Sequence, residues 1–205
     1  MQIIGPEMKK LRTQMFSLAG GTEIDSILKG LSKTFTIEQS GHEVGQRCYY
    51  DTFDWRLHRA NQVFFSSGST LHLQRFNGKQ LAIGNGRRRA KFFWWDFVSG
   101  ELGEGLKPNI EMRALCPIFE VACDTTQFRI MNEDRKTVAR LVVRNDQLKD
   151  SALELPEQII IYEIRGYERE FDTIVGQGPR KGCSEVKMKK DFERLVKNSG
   201  RIPRD

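Results

Sequence analysis

Residues 48–54 read Cys-Tyr-Tyr-Asp-Thr-Phe-Asp and stand between two runs of extended, strand-like sequence. Short polar side chains such as Asp51 and Thr52 form hydrogen bonds with the backbone of tight turns. We expect Asp51 to accept backbone N–H groups in this way. The stretch therefore predicts a turn that links two β-strands.

Alternating segments continue on both sides of this turn. Leu71 and Leu73 are separated by polar residues, as in a strand with one buried face. Asn77-Gly78 follows, and Asn-Gly between two such runs is a strong β-hairpin signal. Many short strands with turns between them favour an antiparallel barrel or sandwich. The extended segments are 6–18, 35–37, 44–50, 62–65, 70–76, 79–83, 87–97, 119–131, 136–144 and 158–165.

Three helices are predicted between and after these strands. One begins at Thr22, a capping residue, and a short one covers 109–115 before Pro117. The Gly-rich stretch 176–182 resembles a linker, and Ser184 caps a last helix with an apolar stripe. We predict one domain over 1–175, followed by a linker and C-terminal helix over 176–205.

The composition narrows the class of protein. The 205 residues are 39% hydrophobic and 29% charged, as in a folded globular protein, with a net charge of +6 that favours anionic partners. No membrane-spanning run or signal peptide is recognisable, so a cytoplasmic location is expected. The four cysteines are scattered, which indicates reduced thiols and no structural zinc.

The Tyr-Tyr-Asp-Thr-x-Asp turn, Tyr49 to Asp54, together with the order of the elements, resembles the CYTH superfamily of triphosphate tunnel enzymes, especially the form that precedes a CHAD helical domain. The resemblance covers about residues 6 to 175. It implies a closed or nearly closed eight-stranded antiparallel β-barrel with a few flanking helices. In the family, inward-facing basic residues bind a triphosphate, and carboxylates hold Mg²⁺ or Mn²⁺.

The chain departs from the family in the residues that perform the chemistry. The opening Glu-x-Glu-x-Lys motif is reduced to Glu7, with Lys9 and Leu11 at the next two motif positions. The Arg-x-Arg pair of a later strand is replaced by His72 and Gln74. A tunnel with so few carboxylates is expected to bind a divalent ion poorly, and phosphoryl chemistry would lose its main electrostatic stabilisation.

The resemblance also suggests which residues bind a metal ion or phosphate. Glu7 and Glu163 are the candidate metal ligands, so that the expected cofactor is none, or weakly bound Mg²⁺ or Mn²⁺. The candidate phosphate ligands are Lys9, His72, Arg75, Arg140, Arg144 and Arg165.

Three functions stay open at this point. The first is a non-catalytic domain that binds triphosphate or polyphosphate, with a nucleotide, a protein partner or a helical domain as further partners. The second is a metal-dependent triphosphatase or nucleotidyl cyclase with an altered set of carboxylates. The third is a structural or protein-interaction barrel whose interior is filled by side chains. The carboxylates considered for the second are Glu7, Glu38, Glu43, Glu120 and Glu163.

Overall fold

A nine-stranded antiparallel sheet dominates the computed structural model, which describes residues 11–18, 24–97, 100–149, 155–177 and 183–200. The predicted class, mainly β with a few helices, is confirmed. The strands are β1 (Thr13–Leu18), β2 (Thr36–Asp51), β3 (Gln62–Ser67), β4 (Thr70–Arg75), β5 (Gln80–Asn85), β6 (Cys116–Met131), β7 (Thr137–Leu148), β8 (Gln158–Glu163) and β9 (Cys183–Glu185). Their order across the sheet is β5-β4-β3-β2-β6-β7-β8-β1-β9.

Five α-helices and one 3-10 turn pack against this sheet in the described ranges. None of these helices is long and apolar enough to cross a bilayer. The helices are α1 (Ile24–Leu31), α2 (Arg56–Arg59), α3 (Glu101–Ile110), α4 (Glu168–Gln177) and α5 (Met188–Asn198), and the 3-10 turn is Trp94–Phe97.

The prediction of an eight-stranded, closed or nearly closed barrel is wrong in its details. The sheet has nine strands, and its edge strands β5 and β9 are not paired with each other in the described residues. Helix α5 lies against one face, where Phe192 contacts the rings of Tyr49, Phe76 and Phe119. Because this helix covers the inner apolar surface, burial of that surface does not require the two edges to meet.

The alternation of side chains along each strand divides the core between the two faces of the sheet. Tyr49 and Phe65 point to the inner face, which α5 covers, whereas Tyr50 and Phe64 point to the outer face. The outer face carries two apolar clusters: one includes residues of α3, and the other includes residues of α1 and α4.

The turn after β2 is built around the buried carboxylate of Asp51. Its Oδ1 accepts hydrogen bonds from the backbone N–H groups of Thr52 (2.7 Å) and Leu57 (2.9 Å), and its Oδ2 accepts one from His58 (2.9 Å). The Thr52 hydroxyl accepts the N–H of Arg56 at 3.0 Å. The expectation that Asp51 accepts backbone hydrogen bonds is confirmed, and the same bonds hold the start of α2.

Two predicted elements between β5 and β6 are wrong. Residues 87–97 do not form a strand: the Asp96 carboxylate accepts the N–H of Phe93 at 2.8 Å, and this turn ends the extended backbone. The predicted helix over 109–115 is replaced by α3. Packing overrides the low helix propensity of the glycines and Pro108 in α3, because Leu102, Leu106 and Ile110 bury one face of it.

The C-terminal part of the chain returns to the sheet. The segment predicted as a linker and helix supplies α5, and it also adds the edge strand β9 beside β1. Helix α4 was not predicted from the sequence, and it buries Phe171 and Ile174. The predicted capping residue Thr22 lies outside the described residues.

Helix α3 packs so closely on the 3-10 turn that we predict a measurable cost for Gly103→Ala. A Cβ at this position would lie 2.5 Å from the carbonyl oxygen of Phe97. We expect a loss of about 1–3 kcal/mol in the free energy of unfolding, measured by urea denaturation followed by tryptophan fluorescence. The control is Gly30→Ala in α1, where nothing lies within 4 Å, and a gain of up to about 1 kcal/mol is expected. Equal stability of the two variants would contradict this packing.

The Asp51 turn gives a second prediction. In Asp51→Asn, one carboxylate oxygen becomes an NH₂ group that faces a backbone N–H, so at least one hydrogen bond is lost. We expect destabilisation of about 2–3 kcal/mol in the same assay. Asp134→Asn, at an exposed residue of the β6–β7 turn, is the matched control and should change stability by less than about 0.5 kcal/mol. An equally small effect of Asp51→Asn would show that the charge of Asp51 does not stabilise the turn.

Candidate functional site

A cavity of about 430 Å³ lies between the inner face of the sheet and α5. Strands β2 to β8 and α5 all contribute to its wall, so the sheet curves around it. This volume is within the range of about 300–1,000 Å³ that is typical of small-molecule sites. We refer to this space as the inner cavity.

Cross-strand pairing arranges part of the wall in two rows. Arg47 on β2 lies opposite Ser67 on β3, and Ser67 lies opposite Thr70 on β4, which makes a polar row. Two residues further along β2, Tyr49 lies opposite Phe65, and Phe65 lies opposite His72, which makes an aromatic row. Because strands rise about 3.3 Å per residue, the two rows are separated by about 6.6 Å.

Arg47 provides a positive charge in the polar row. Its guanidinium carbon lies 5.8 Å from the centre of the Phe65 ring. No carboxylate of the described residues lies within salt-bridge distance, 4.0 Å, of this side chain. An arginine is charged at any ordinary pH. Burial opposes this charge, whereas Tyr49, Cys123 and Asp146 raise the pKa of Arg47. Arg47 is therefore a cation on the cavity wall that Asp146 balances from a distance, without a direct ion pair in the described chain.

Arg144 on β7 also lines the inner cavity, but its charge is compensated. Its Nε lies 3.0 Å from an oxygen of Asp146, and its terminal nitrogen lies 3.4 Å from Asp191 of α5. The amide oxygen of Gln158 accepts a hydrogen bond from the same guanidinium. Asp191 also pairs with Arg194 at 2.5 Å. This buried network ties α5 to the sheet.

His72 is held flat against Phe65, with ring centroids 4.8 Å apart and ring planes at 8°. Burial lowers the pKa of His72, a hydrogen bond with Gln80 opposes that change, and the positive charge of Arg47 lowers the pKa further. The imidazole is therefore neutral near pH 7 and behaves as a flat, uncharged surface.

Only some of the predicted phosphate ligands meet at the inner cavity. His72 and Arg144 line it. Arg140 is on the same face of β7 but is exposed and lies outside the cavity wall. Arg75 points to the outer face of β4 and Arg165 lies in the turn after β8, both exposed. The predicted ligand Lys9 lies outside the described residues.

The two candidate metal ligands are not brought together in the described chain. Glu163 is 4% exposed and faces the outer side of β8. It accepts hydrogen bonds from the backbone N–H and the guanidinium of Arg12 at 2.7 and 2.8 Å, and Arg12 also contacts Asp172 at 2.7 Å. Glu7 lies outside the described residues. Glu163 therefore stabilises the junction of β1, β8 and α4.

The other carboxylates considered for an altered catalytic site are also dispersed. Glu38 pairs with Arg129 at 2.9 Å, and Glu120 pairs with Lys149 at 3.2 Å and with Arg88. Of Glu38, Glu43 and Glu120, Glu43 alone lines the inner cavity. Within the described ranges, no group of three or more His, Cys, Asp or Glu side chains is placed to hold a metal ion.

Several residues of the cavity were missed in the sequence. Arg47 was not singled out, although the alternation in β2 places it on the same face as Tyr49. Asp191 and Phe192 were not linked to the cavity because α5 follows the predicted linker. Arg47 could have been found by extending the strand pattern back from the turn. The return of α5 to the sheet leaves no signal in the local sequence.

Comparisons with known proteins do not identify the chain. No protein-family model matches it, and no curated protein matches its sequence. Among solved structures, the PH1819 protein of Pyrococcus horikoshii OT3 is similar with a TM-score of 0.39 and 10% identity, over 96% of this chain and 95% of that chain. A likeness this low does not establish a shared fold.

The environment of His72 predicts a measurable pKa. We expect its pKa, followed by ¹H–¹³C NMR, to lie below 6.5, and to rise in Arg47→Gln because a nearby positive charge is removed. In the unfolded chain His72 has its ordinary pKa near 6.5, whereas in the folded protein its pKa is lower. Protonation below pH 6.5 therefore favours the unfolded chain. The wild type should therefore lose stability as the pH falls through this range, compared with His72→Gln. A His72 pKa above 6.5 would contradict the buried, neutral ring.

Proposed function

We propose that this protein is a binding domain that takes a phosphate-type anion into the inner cavity without hydrolysing it. The observation that carries the proposal is Arg47, a cation on the cavity wall with no carboxylate of the described chain within 4.0 Å. A guanidinium presents several donors in a planar fork that suits phosphate oxygens. A partly buried cation without a direct ion pair gains from an anion that arrives from solution.

The surroundings of Arg47 support an anion at this position. Ser67 and Thr70 line the same side of the cavity and carry hydroxyl groups that donate hydrogen bonds to phosphate oxygens. The net charge of +6 also favours the approach of an anion. We propose that the chain is a diverged CYTH-like domain, and this resemblance suggests triphosphate or polyphosphate among the anions to test.

The proposal does not include catalysis, because Asp146 and Asp191 near the cavity already lie beside arginines, and Glu43 alone does not form a group that could hold a metal ion in the described chain. Asp191 is bound by Arg144 and Arg194, and Asp146 lies beside Arg144. A carboxylate paired with arginine loses that interaction if it binds a metal ion instead. Metal-assisted phosphoryl transfer requires such carboxylates to hold the ion at the phosphate.

Binding of inorganic phosphate and tripolyphosphate by isothermal titration calorimetry tests the proposal. We expect the wild type to bind at least one of them, and Arg47→Gln to weaken binding tenfold or more, about 1.4 kcal/mol. The matched control is Arg75→Gln, which removes the same charge from an exposed position on the outer face and should leave the affinity unchanged.

Two results would contradict this function. Equal loss of affinity in the Arg47 and Arg75 variants would show that the anion responds to overall charge and not to the cavity. Release of phosphate from tripolyphosphate by the wild type in the presence of Mn²⁺ would show that the domain is catalytic.

A further inference from the structure

We infer that the anion bound in the inner cavity is a phosphate monoester whose organic part is a flat, apolar ring, and not a long polyphosphate chain. This inference rests on the proposed function and narrows the class of ligand. It follows from the charge balance of the cavity, from the position of its aromatic side chains, and from the distance between the polar row and the aromatic row.

The charges on the wall are too nearly balanced for a highly charged ligand. Arg47 and Arg144 are the arginines of the wall, and Arg144 already contacts Asp146 and Asp191. Glu43 adds a further negative charge at the wall. Burying several phosphate charges beside Arg47, on which the charge of Asp146 already acts, would leave most of them without partners, and burial of unpaired charge is costly. A monoester carries only about 1.5 to 2 negative charges at pH 7.

The remainder of the wall is suited to an apolar ring. The parallel pair of Phe65 and His72 stands next to Tyr49, and His72 is neutral near pH 7. Phe76 and Phe192 extend this surface, with their ring centroids 5.1 Å apart. Stacking on such side chains stabilises a flat ring, but it offers nothing to an inorganic phosphate chain.

The two parts of the wall lie at a distance that one molecule can span. The polar row of Arg47, Ser67 and Thr70 is two residues along the strands from the aromatic row of Tyr49, Phe65 and His72. This corresponds to about 6.6 Å. The guanidinium carbon of Arg47 lies 5.8 Å from the centre of the Phe65 ring. A phosphate at Arg47 that is joined through one ester linkage to a ring would therefore place that ring beside the stacked pair of Phe65 and His72.

The experiment compares ligands that differ in one property at a time, by calorimetry on the full chain. Methyl phosphate and phenyl phosphate have the same ionic group, and only the second carries a ring. We expect phenyl phosphate to bind about tenfold more tightly than methyl phosphate, and tripolyphosphate to bind no more tightly than methyl phosphate. Arg47→Gln should weaken the binding of both esters.

A second variant tests the aromatic row separately. Phe65→Leu should reduce the ratio of the affinities for phenyl phosphate and methyl phosphate to less than about threefold. Far-UV circular dichroism equal to that of the wild type shows that the variant is folded. Arg75→Gln again serves as the control for overall charge.

The outcomes separate this inference from the proposed function. If tripolyphosphate binds most tightly and phenyl phosphate shows no advantage, the inference is wrong while the anion-binding function stands. If phosphate, tripolyphosphate and the two esters all fail to bind, the proposed function itself is wrong. An advantage of phenyl phosphate that persists in Phe65→Leu would place the ring elsewhere and overturn the inference.

Discussion

The carboxylate of Asp51 is the interaction on which the rest of the structure depends. Three backbone N–H groups converge on it, so the direction in which the chain leaves β2 and enters α2 is determined by one buried side chain. The turn sets the register of β2 against β3, and a slip of one residue would move Arg47 and Tyr49 to the outer face. The polar and aromatic rows of the inner cavity exist because this register is maintained.

A second constraint comes from the partners of Arg144. Asp191 reaches the cavity from α5 and neutralises a charge that would otherwise favour an anion, and in the same contact it holds the helix against the sheet. The cavity is therefore only partly basic, and Arg47 is its arginine without a direct ion pair in the described chain. This division of roles between two arginines on the same face explains why counting basic residues in the sequence overestimates the charge offered to a ligand.

Sequence patterns that extend over a few residues predicted local structure correctly. The Asp-Thr turn, the Asn-Gly hairpin and the alternation in β4 led to the correct strands there, and that alternation put His72 on the strand face opposite Leu71 and Leu73. Segments whose conformation depends on distant partners were predicted incorrectly. Helix α3 contains two glycines, Gly103 and Gly105, and Pro108, yet it forms because its leucines pack on the outer face. Glu163 was taken as a metal ligand, but the partner that occupies it, Arg12, lies far away in the chain.

The sequence by itself determined the antiparallel β class, the turn at Asp51 and the faces of several strands, since these follow from side-chain period and local hydrogen bonding. Only the tertiary structure decided that β5 and β9 are unpaired with each other in the described sheet, that α5 covers its inner face, and which arginine of the cavity forms ion pairs. These features depend on contacts between residues that are distant in the chain, such as Arg144 with Asp191 and Glu163 with Arg12. Such pairings arise when separate elements pack together, and no local pattern encodes them.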